Sequence, residues 1–553
     1  MLAVLSGVLL ALCYAPWNVG DLVWVWASPL LAALWFSEPR LRKKGTVPRW
    51  RHGFRLGYLA GFTFFAINVS WIAQISKVAG TFLAGAGALV GMGLYFGLYF
   101  AAFGTFAATV GRWSPPNTGP ANSGPRNLLG VLKAAALNGA AWCGLEWLRG
   151  ILFTGFGWNG LGVALKDHLA LAQFADVIGI TGYGFILMFV GTMLFCTFVR
   201  MSREIRWQSR LRPYFDFASA ASVVVGLFLY GLPKMMQSPS KTVDLRARIL
   251  QLNIPLEDKW SEDLAKRQKI VFDYRDLTRA FVETDPPDLV LWPETAVPGI
   301  FSYQWVQEYL NDHVLKGDSF YLVTGLEDTN LESTEIYNTL TVMQGNTASY
   351  QMHKKAHLVP FGEYIPFRHS FPIFAWMAGG IIEQDFTPGK IHEPLVVEKL
   401  GQQIGIIPLI CFEDTVPRHT RKFLRPGPQI FVNVTNDGWF YDSAQPQQHF
   451  DNALFRCIEF RRPMIRAANT GVSGFIDERG SVYDRTGRDT GPRIVHDTET
   501  GSTYIRGSLP ATLAIDLDPP TTIYARIGDS FSMAMGALAL LAVAGRWWRK
   551  RRE

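Results

Sequence analysis

Eight apolar stretches, with basic loops falling after every second one, constrain this chain more than any other feature of its sequence. They lie near residues 2–19, 22–36, 56–73, 82–110, 130–149, 183–199, 215–233 and 530–547. A helix needs about 20 mostly apolar residues to cross a bilayer, so these read as a multi-pass α-helical membrane domain of about eight spans. The loop after the second stretch holds Arg40, Arg42, Lys43, Lys44, Arg49, Arg51 and Arg55. The loop after the fourth holds Arg112 and Arg126, and the loop after the sixth Arg200, Arg203, Arg206, Arg210 and Arg212. Arg546, Arg549, Lys550, Arg551 and Arg552 follow the eighth. Opposite loops carry little beyond Lys77 and Lys166. Basic loops stay in the cytoplasm, which predicts cytoplasmic termini and an external position for residues 234–529. The first stretch lacks a preceding basic residue, so it reads as an uncleaved span rather than a signal peptide.

Charge divides the chain the same way. Residues 1–240 carry 19 Lys and Arg against 7 Asp and Glu, a net of +12, while residues 241–540 are net −9. The overall mean hydropathy of +0.11 and the 18% of charged residues, against about 25% in soluble proteins, therefore average two different solvents. The basic balance belongs to membrane loops and gives no sign of nucleic-acid binding. The expected organisation is a membrane domain over 1–233 with seven transmembrane helices, an extracytoplasmic domain over 241–525, a transmembrane helix over 530–547 and a basic tail over 548–553.

The external segment alternates short apolar strands with helices. Strands are expected over 243–255, 288–294, 320–326 and 403–411, with another at 429–436. Residues 337–343 and 348–354 read as a hairpin, as do 474–477 and 481–483, and helices are expected at 261–283 and 446–466. Such α/β domains present polar groups at strand ends. Three chemically distinct residues stand there: Glu294, one of Lys354 and Lys355, and Cys411. A thiol attacks a carbonyl only after losing its proton, which a carboxylate can accept, and a lysine can stabilise the oxyanion formed. Each alone also has a plain structural reading: a core cysteine, a capping carboxylate, a solvated lysine. Five cysteines, three of them in apolar stretches, make no disulfide framework. No metal-ligand cluster or phosphate-binding loop stands out, and no cofactor is expected.

The words Trp292-Pro-Glu294, Lys355-x-His357-Leu-Val-Pro-Phe-Gly-Glu363 and Ile410-Cys411-Phe-Glu413 occur in that order. Together they resemble the nitrilase, or carbon–nitrogen hydrolase, superfamily. The string from His357 to Glu363, and the placing of such a domain before a last membrane span, are similar to the apolipoprotein N-acyltransferase family of the bacterial inner membrane. Gln251-Leu-Asn-Ile-Pro255, Thr435-Asn-Asp-Gly-Trp-Phe440 and Glu146-Trp-Leu-Arg149 agree with it. The resemblance implies a four-layer αββα sandwich and a Glu–Lys–Cys triad of Glu294, Lys355 and Cys411. It implies supporting or substrate-binding roles for Glu363, Phe412, Glu413, Trp260 and Trp439. Phe412 stands where the family usually has tyrosine, so any role for that hydroxyl is lost. The implied activity is acyl transfer from a membrane phospholipid, through a Cys411 thioester, to the amine of a diacylglyceryl-cysteine apolipoprotein.

The apolar run 366–386 reads independently as a membrane-touching lid, with Phe371, Phe374, Trp376 and Met377 as contacts. Glu146 and Arg149, three apart on one helical face, are expected either to pair with each other or to position the domain or a lipid headgroup. Two other functions fit parts of the pattern: a membrane-anchored amidase or nitrilase acting on a small amide, and a non-catalytic receptor or transporter. The lid and the spans disfavour the first, and the complete triad disfavours the second.

Overall fold

The computed structural model describes residues 1–37, 41–42, 45–114, 125–206, 214–259, 261–330, 332–345, 347, 349–368, 370, 384–484 and 491–552. The chain divides into two compact units: residues 1–72, 86–236 and 526–553 form one, and residues 73–85 and 237–525 the other.

The first unit is helical. Its helices are α1 (Leu2–Ala11), α2 (Ser28–Phe36), α3 (Arg49–Asn68), α4 (Phe82–Thr109), α5 (Leu128–Arg149), α6 (Ala175–Ile205) and α7 (Phe215–Met236), joined by the C-terminal helix Ser530–Arg552. Five of them, α4 to α7 and the C-terminal helix, are long and apolar enough to cross a membrane, and α3 with Ser70–Val78 makes a sixth if the bent pair counts as one span. The sequence suggests eight. The difference lies at the start of the chain, where α1 and α2 have only 10 and 9 residues. At 1.5 Å per residue each spans about half of a 30 Å hydrocarbon core. α6 begins earlier than hydropathy suggests, and Gly179 at φ +71° breaks its first turns. Backbone approach between α3 and α4 depends on absent side chains: a Cβ on Gly57 would stand 2.2 Å from the Phe100 carbonyl oxygen, and one on Gly53 2.4 Å from that of Gly104. Small residues are how apolar helices come close in lipid, where no hydrophobic force drives them together.

The second unit is built on two sheets. The strands are β1 (Thr242–Gln251), β2 (Leu289–Leu291), β3 (Tyr321–Thr329), β4 (Ile336–Gln344), β5 (Ser349–Lys354), β6 (Leu395–Lys399), β7 (Gln402–Ile410), β8 (Gln429–Thr435), β9 (Met464–Ala468), β10 (Gly474–Ile476) and β11 (Gly507–Asp516). One sheet runs β11-β1-β2-β3-β4-β5 and the other β10-β9-β8-β7-β6. The central pairs β1–β2, β2–β3, β7–β8 and β8–β9 are parallel. β1 alternates exposed and buried residues over its first half, and its inward Val243, Leu245, Ala247 and Ile249 join Ile404, Ile406, Val432, Val434 and Ile465 in one core. The two sheets therefore share their inner faces. The other face of the six-stranded sheet, with Leu250, Val290 and Leu322, packs on Ile270, Tyr274 and Phe281 of helix α8 (Leu264–Val282). Each such side chain contributes about 1.5–3 kcal/mol by leaving water.

Two expected elements differ. The helix read over 446–466 is α9 (Gln445–Phe460); Arg461 turns left-handed at φ +53°, and the remainder becomes β9. The hairpin read at 474–483 reduces to a turn held by Asp477 N–H donating to the Ser481 carbonyl at 2.8 Å, while β10 pairs with β9. Three-residue strands carry too little alternation to choose a partner.

Candidate active site

Three strand ends bring Glu294, Lys355 and Cys411 into one site. Glu294 follows β2, after the buried Trp292, whose indole N–H donates to Thr278 Oγ1 at 3.0 Å. The chain beside it passes so near β3 that a Cβ on Gly325 would stand 2.5 Å from Glu294 Cα. That glycine is required by space. Lys259 donates to the Glu294 carbonyl at 2.8 Å. Burial lowers the pKa of this lysine to about 8, with Glu294 and Glu327 opposing.

Lys355, just beyond β5, is 1% exposed. Its Nζ donates to Glu363 Oε1 at 2.8 Å and lies 3.7 Å from Glu294 Oε1. Asn338 of β4 ties the two carboxylates together, its Nδ2 donating to Glu294 Oε1 at 2.7 Å and to Glu363 Oε1 at 3.0 Å. Glu363 also accepts from Val359 N–H at 2.8 Å. Lys354 points elsewhere, its ammonium 3.6 Å from the centre of the Tyr337 ring. Burial works against the charge of Lys355, yet Glu363 and Glu294 override it and raise its pKa. Burial raises the pKa of Glu294, helped by Glu363 and opposed by Lys355. The lysine therefore stays charged, and the carboxylate is a stronger base than a solvated one.

Cys411 follows β7 at φ +52°, a backbone region costly for a residue with a Cβ. Its carbonyl accepts from Asn433 Nδ2 at 3.1 Å. Burial raises the thiol pKa, Glu294 raises it further, and Lys355 and a hydrogen bond with the Thr435 side chain oppose. The thiol rests protonated within the electrostatic reach of both partners.

Glu413, fully buried, braces the two halves of the site. Its Oε1 accepts from Ala356 N–H at 2.8 Å and His357 N–H at 2.9 Å, and its Oε2 from Ile410 N–H at 2.9 Å. The imidazoles of His419 and His353 face the same carboxylate at 3.2 and 3.7 Å. Burial disfavours its charge, but those imidazoles hold its pKa well below the carboxylate range. The Phe412 ring stacks on His357 with centroids 6.0 Å apart. Trp439 lies half-buried in the turn Asp437–Phe440. Trp260, Phe371, Phe374, Trp376 and Met377 lie outside the described residues.

A buried network beneath the cysteine joins His449, expected from the sequence to be a structural hydrogen-bonder, to Arg466, Asp414 and Asp437, which the sequence did not single out. Arg466 of β9 donates to Asp414 Oδ2, to Asn433 Oδ1 at 2.8 Å and to Asp437 Oδ2 at 3.1 Å. His449 lies between carboxylates, its Nδ1 2.8 Å from Asp437 Oδ1 and its Nε2 2.9 Å from Asp414 Oδ1. Burial and Arg466 oppose the charge of His449, and the two aspartates override them to raise its pKa. An arginine inside the apolar run Met464-Ile-Arg-Ala-Ala468 was the available signal, since a charge there must find partners. In the helical unit, Glu146 Oε1 accepts from Leu161 N–H at 2.9 Å and Arg149 donates to the Trp158 carbonyl at 2.8 Å. Both residues thus hold the backbone of one loop.

Two family models match the chain: the apolipoprotein N-acyltransferase N-terminal domain over residues 6–193 and carbon–nitrogen hydrolase over residues 246–497. A curated apolipoprotein N-acyltransferase from Geobacter metallireducens is 30% identical across 100% of this chain and 95% of its own length. One from Nitrosomonas europaea is 33% identical over 73% of each chain. Among solved structures, an amidase from Nesterenkonia sp. AN1 aligns with 52% of this chain and 97% of its own, at 14% identity and a TM-score of 0.34.

Proposed function

This chain belongs to the apolipoprotein N-acyltransferase family, and we propose that it N-acylates lipoproteins through a thioester on Cys411. Glu294 takes the proton from Cys411 Sγ, and the thiolate attacks the sn-1 ester carbonyl of a phospholipid. The Lys355 ammonium and the Phe412 N–H stabilise the tetrahedral oxyanion. As the intermediate collapses, the ester C–O bond breaks, Glu294 returns the proton to the leaving oxygen, and a lysophospholipid departs. The free α-amine of a diacylglyceryl-cysteine then attacks the thioester. Glu294 removes the amine's proton, the C–S bond breaks, and the amide product leaves Cys411 to be reprotonated. This is two-step covalent catalysis.

The observation that carries the reading is the buried Glu294–Lys355–Glu363 cluster with Asn338 between its carboxylates. A raised thiol pKa needs a raised base beside it, because proton transfer works best between groups of similar pKa. Glu363 and Glu413 act as positioning residues, the first holding the Lys355 ammonium and the second the backbone around it. Substrate-binding roles for Trp260 and Trp439 follow from the family resemblance. The alternation of basic loops supports residues 241–525 as an αββα catalytic region on the periplasmic side of the inner membrane, with both termini in the cytoplasm.

The test is mass spectrometry of the purified protein with phospholipid alone, then with a diacylglyceryl-cysteine peptide. The expected result is an acyl adduct on Cys411 that disappears as N-acyl peptide forms. N-acylation by Cys411→Ala, or turnover without any adduct, overturns the thioester.

A further inference from the structure

Four of the chain's ten histidines gather behind the cysteine and lysine strand ends, where the proposed reaction has no use for them. His353 lies in β5, two residues before Lys355. His419 lies in the short helix Pro417–Thr420, and Glu413 follows Cys411 by two. One donor atom from each of His353, Glu413 and His419 falls within 4.8 Å of the others, and all three residues are buried. Phe423 closes the apolar side, its ring 5.2–5.3 Å from those of His353, His392 and His419.

The hydrogen bonding around this group is incomplete. The Nε2 atoms of His353, His357 and His419 are buried without a hydrogen-bond partner among the described residues. Each such atom is normally satisfied, since a buried polar group that gives up water for nothing is costly. The neighbouring carboxylate does not supply the missing bonds. The His353 ring is 3.7 Å from Glu413 Oε2, too far for a hydrogen bond, and His419 at 3.2 Å lacks the geometry for one. Glu413 already accepts three backbone N–H groups, two on Oε1 and one on Oε2.

We propose that His353, His419 and Glu413 bind a divalent cation of the zinc class, which ties β5 to the Cys411 turn. A cation accepts lone pairs from two neutral imidazoles and from the Glu413 carboxylate, so the orphaned nitrogens of His353 and His419 gain a partner. Ligands about 2.0–2.1 Å from a tetrahedral ion stand about 3.3 Å apart; His419 Nε2 is 3.2 Å from Glu413 Oε1 and His353 Nε2 3.7 Å from Oε2, so the two imidazoles approach the two oxygens of one carboxylate at about that spacing. Two imidazoles and a carboxylate suit zinc, and a set with two nitrogen donors disfavours magnesium or calcium, which prefer all-oxygen ligands. His357, with its Nε2 also buried and unpartnered and its ring 6.4 Å from that of His419, is a fourth donor within reach; the His392 ring is nearer, at 5.4 Å, but its Nδ1 already meets the Lys390 carbonyl at 3.1 Å. The ion's role is positional. By fixing Glu413 it fixes the Ala356 and His357 N–H groups next to Lys355 and the Ile410 N–H next to Cys411. The cluster was invisible in the sequence because its ligands come from three elements with no metal-ligand spacing.

The experiment uses the full chain in detergent micelles, its affinity tag removed and its metals stripped with a chelator, titrated with cobalt(II) and with zinc(II). Uptake of about one equivalent is expected, with the visible bands of tetrahedral cobalt and displacement by zinc. His353→Ala and His419→Ala should each weaken uptake by about 100-fold or more, because even outer partners of a metal site are worth 10–100-fold. The exposed His313→Ala should leave it unchanged. His419→Cys keeps a ligand and should add a thiolate-to-cobalt charge-transfer band, which folding defects cannot produce. Chelation should lower the thermal midpoint of the wild-type protein and not that of the two alanine variants. Uptake by the stripped wild-type protein below about a tenth of an equivalent, or uptake that survives both alanine substitutions, overturns the site. Metal content is read without assaying acyl transfer, so the site and the thioester stand or fall separately.

Discussion

Two sets of buried charges, one in each unit, are held in different ways. In the helical unit, Glu146 and Arg149 each bind main-chain groups of the same short loop, Leu161 N–H and the Trp158 carbonyl. In the sheet unit, around the site, buried charges bind one another: Lys355 with Glu363 and Glu294, and Arg466 and His449 with Asp414 and Asp437. A charge that holds backbone carries out a structural task that a neutral hydrogen-bonding group can also perform. A cluster of mutually dependent charges costs more to assemble, but it fixes protonation states, as catalysis requires.

Substitutions that remove one member of each arrangement test this contrast. The largest effect is expected from Lys355→Met, which deletes an oxyanion donor and leaves Glu294 and Glu363 buried without their cation. N-acylation should fall at least about 10³-fold, and thermal or denaturant unfolding should show a loss of about 3–5 kcal/mol. Activity within tenfold of wild type would dissolve the contrast. Arg466→Met should cost about 3–5 kcal/mol as well, because Asp414 and Asp437 lose a common partner, and its effect on turnover should follow only from displacement of the cysteine turn. In the helical unit Arg149→Met should cost about 1–3 kcal/mol, the range for one unsatisfied carbonyl. Glu146→Gln, which keeps an acceptor for Leu161 N–H, should change unfolding by less than about 1 kcal/mol. A large loss from Glu146→Gln would show that its charge matters and erase the distinction.

The smallest expected effect is a displacement along the pH axis. Glu294 acts when ionised, so the acylation rate should rise as pH climbs through its raised pKa. Burial is the main cause of that rise, and the Asn338 hydrogen bond opposes it. Asn338→Leu removes the opposing bond, so the acidic limb of the pH–rate profile should move to higher pH, by about half to one unit for a bond worth about 1 kcal/mol. A limb that moves to lower pH, or stays in place, would remove Glu294 from that step.

Much of the site was legible because its residues sit in fixed short words. Trp292-Pro-Glu294 ends a strand, Lys355 precedes His-Leu-Val-Pro-Phe-Gly-Glu, and Cys411 precedes Phe-Glu, so each residue's place at a strand end followed from local pattern. Resemblance distinguished Lys355 from Lys354, and the structure shows where the pair separates, one ammonium between carboxylates and the other over Tyr337. Asn338 was passed over because a polar residue in a strand looks like an outward-facing one. Its burial depends on which strand lies beside it. The same holds for Arg466, whereas His449 reads from the sequence as a structural hydrogen-bonder and lies between Asp437 and Asp414.

Hydropathy and charge alone determined that the chain has two kinds of region, because the apolar stretches and basic loops are contiguous and their signals add along the chain. Strand periodicity determined the α/β character of the second region in the same way. Tertiary structure decided whatever depends on contacts between distant segments: the two short helices at the start of the chain, the pairing of β10 with β9, and the bridge from Glu413 to Ala356 and His357 across more than fifty residues. The physical reason is range. Helix and strand periodicity are written within a few turns of chain, whereas a buried charge or imidazole is defined by partners that only folding brings within hydrogen-bond distance.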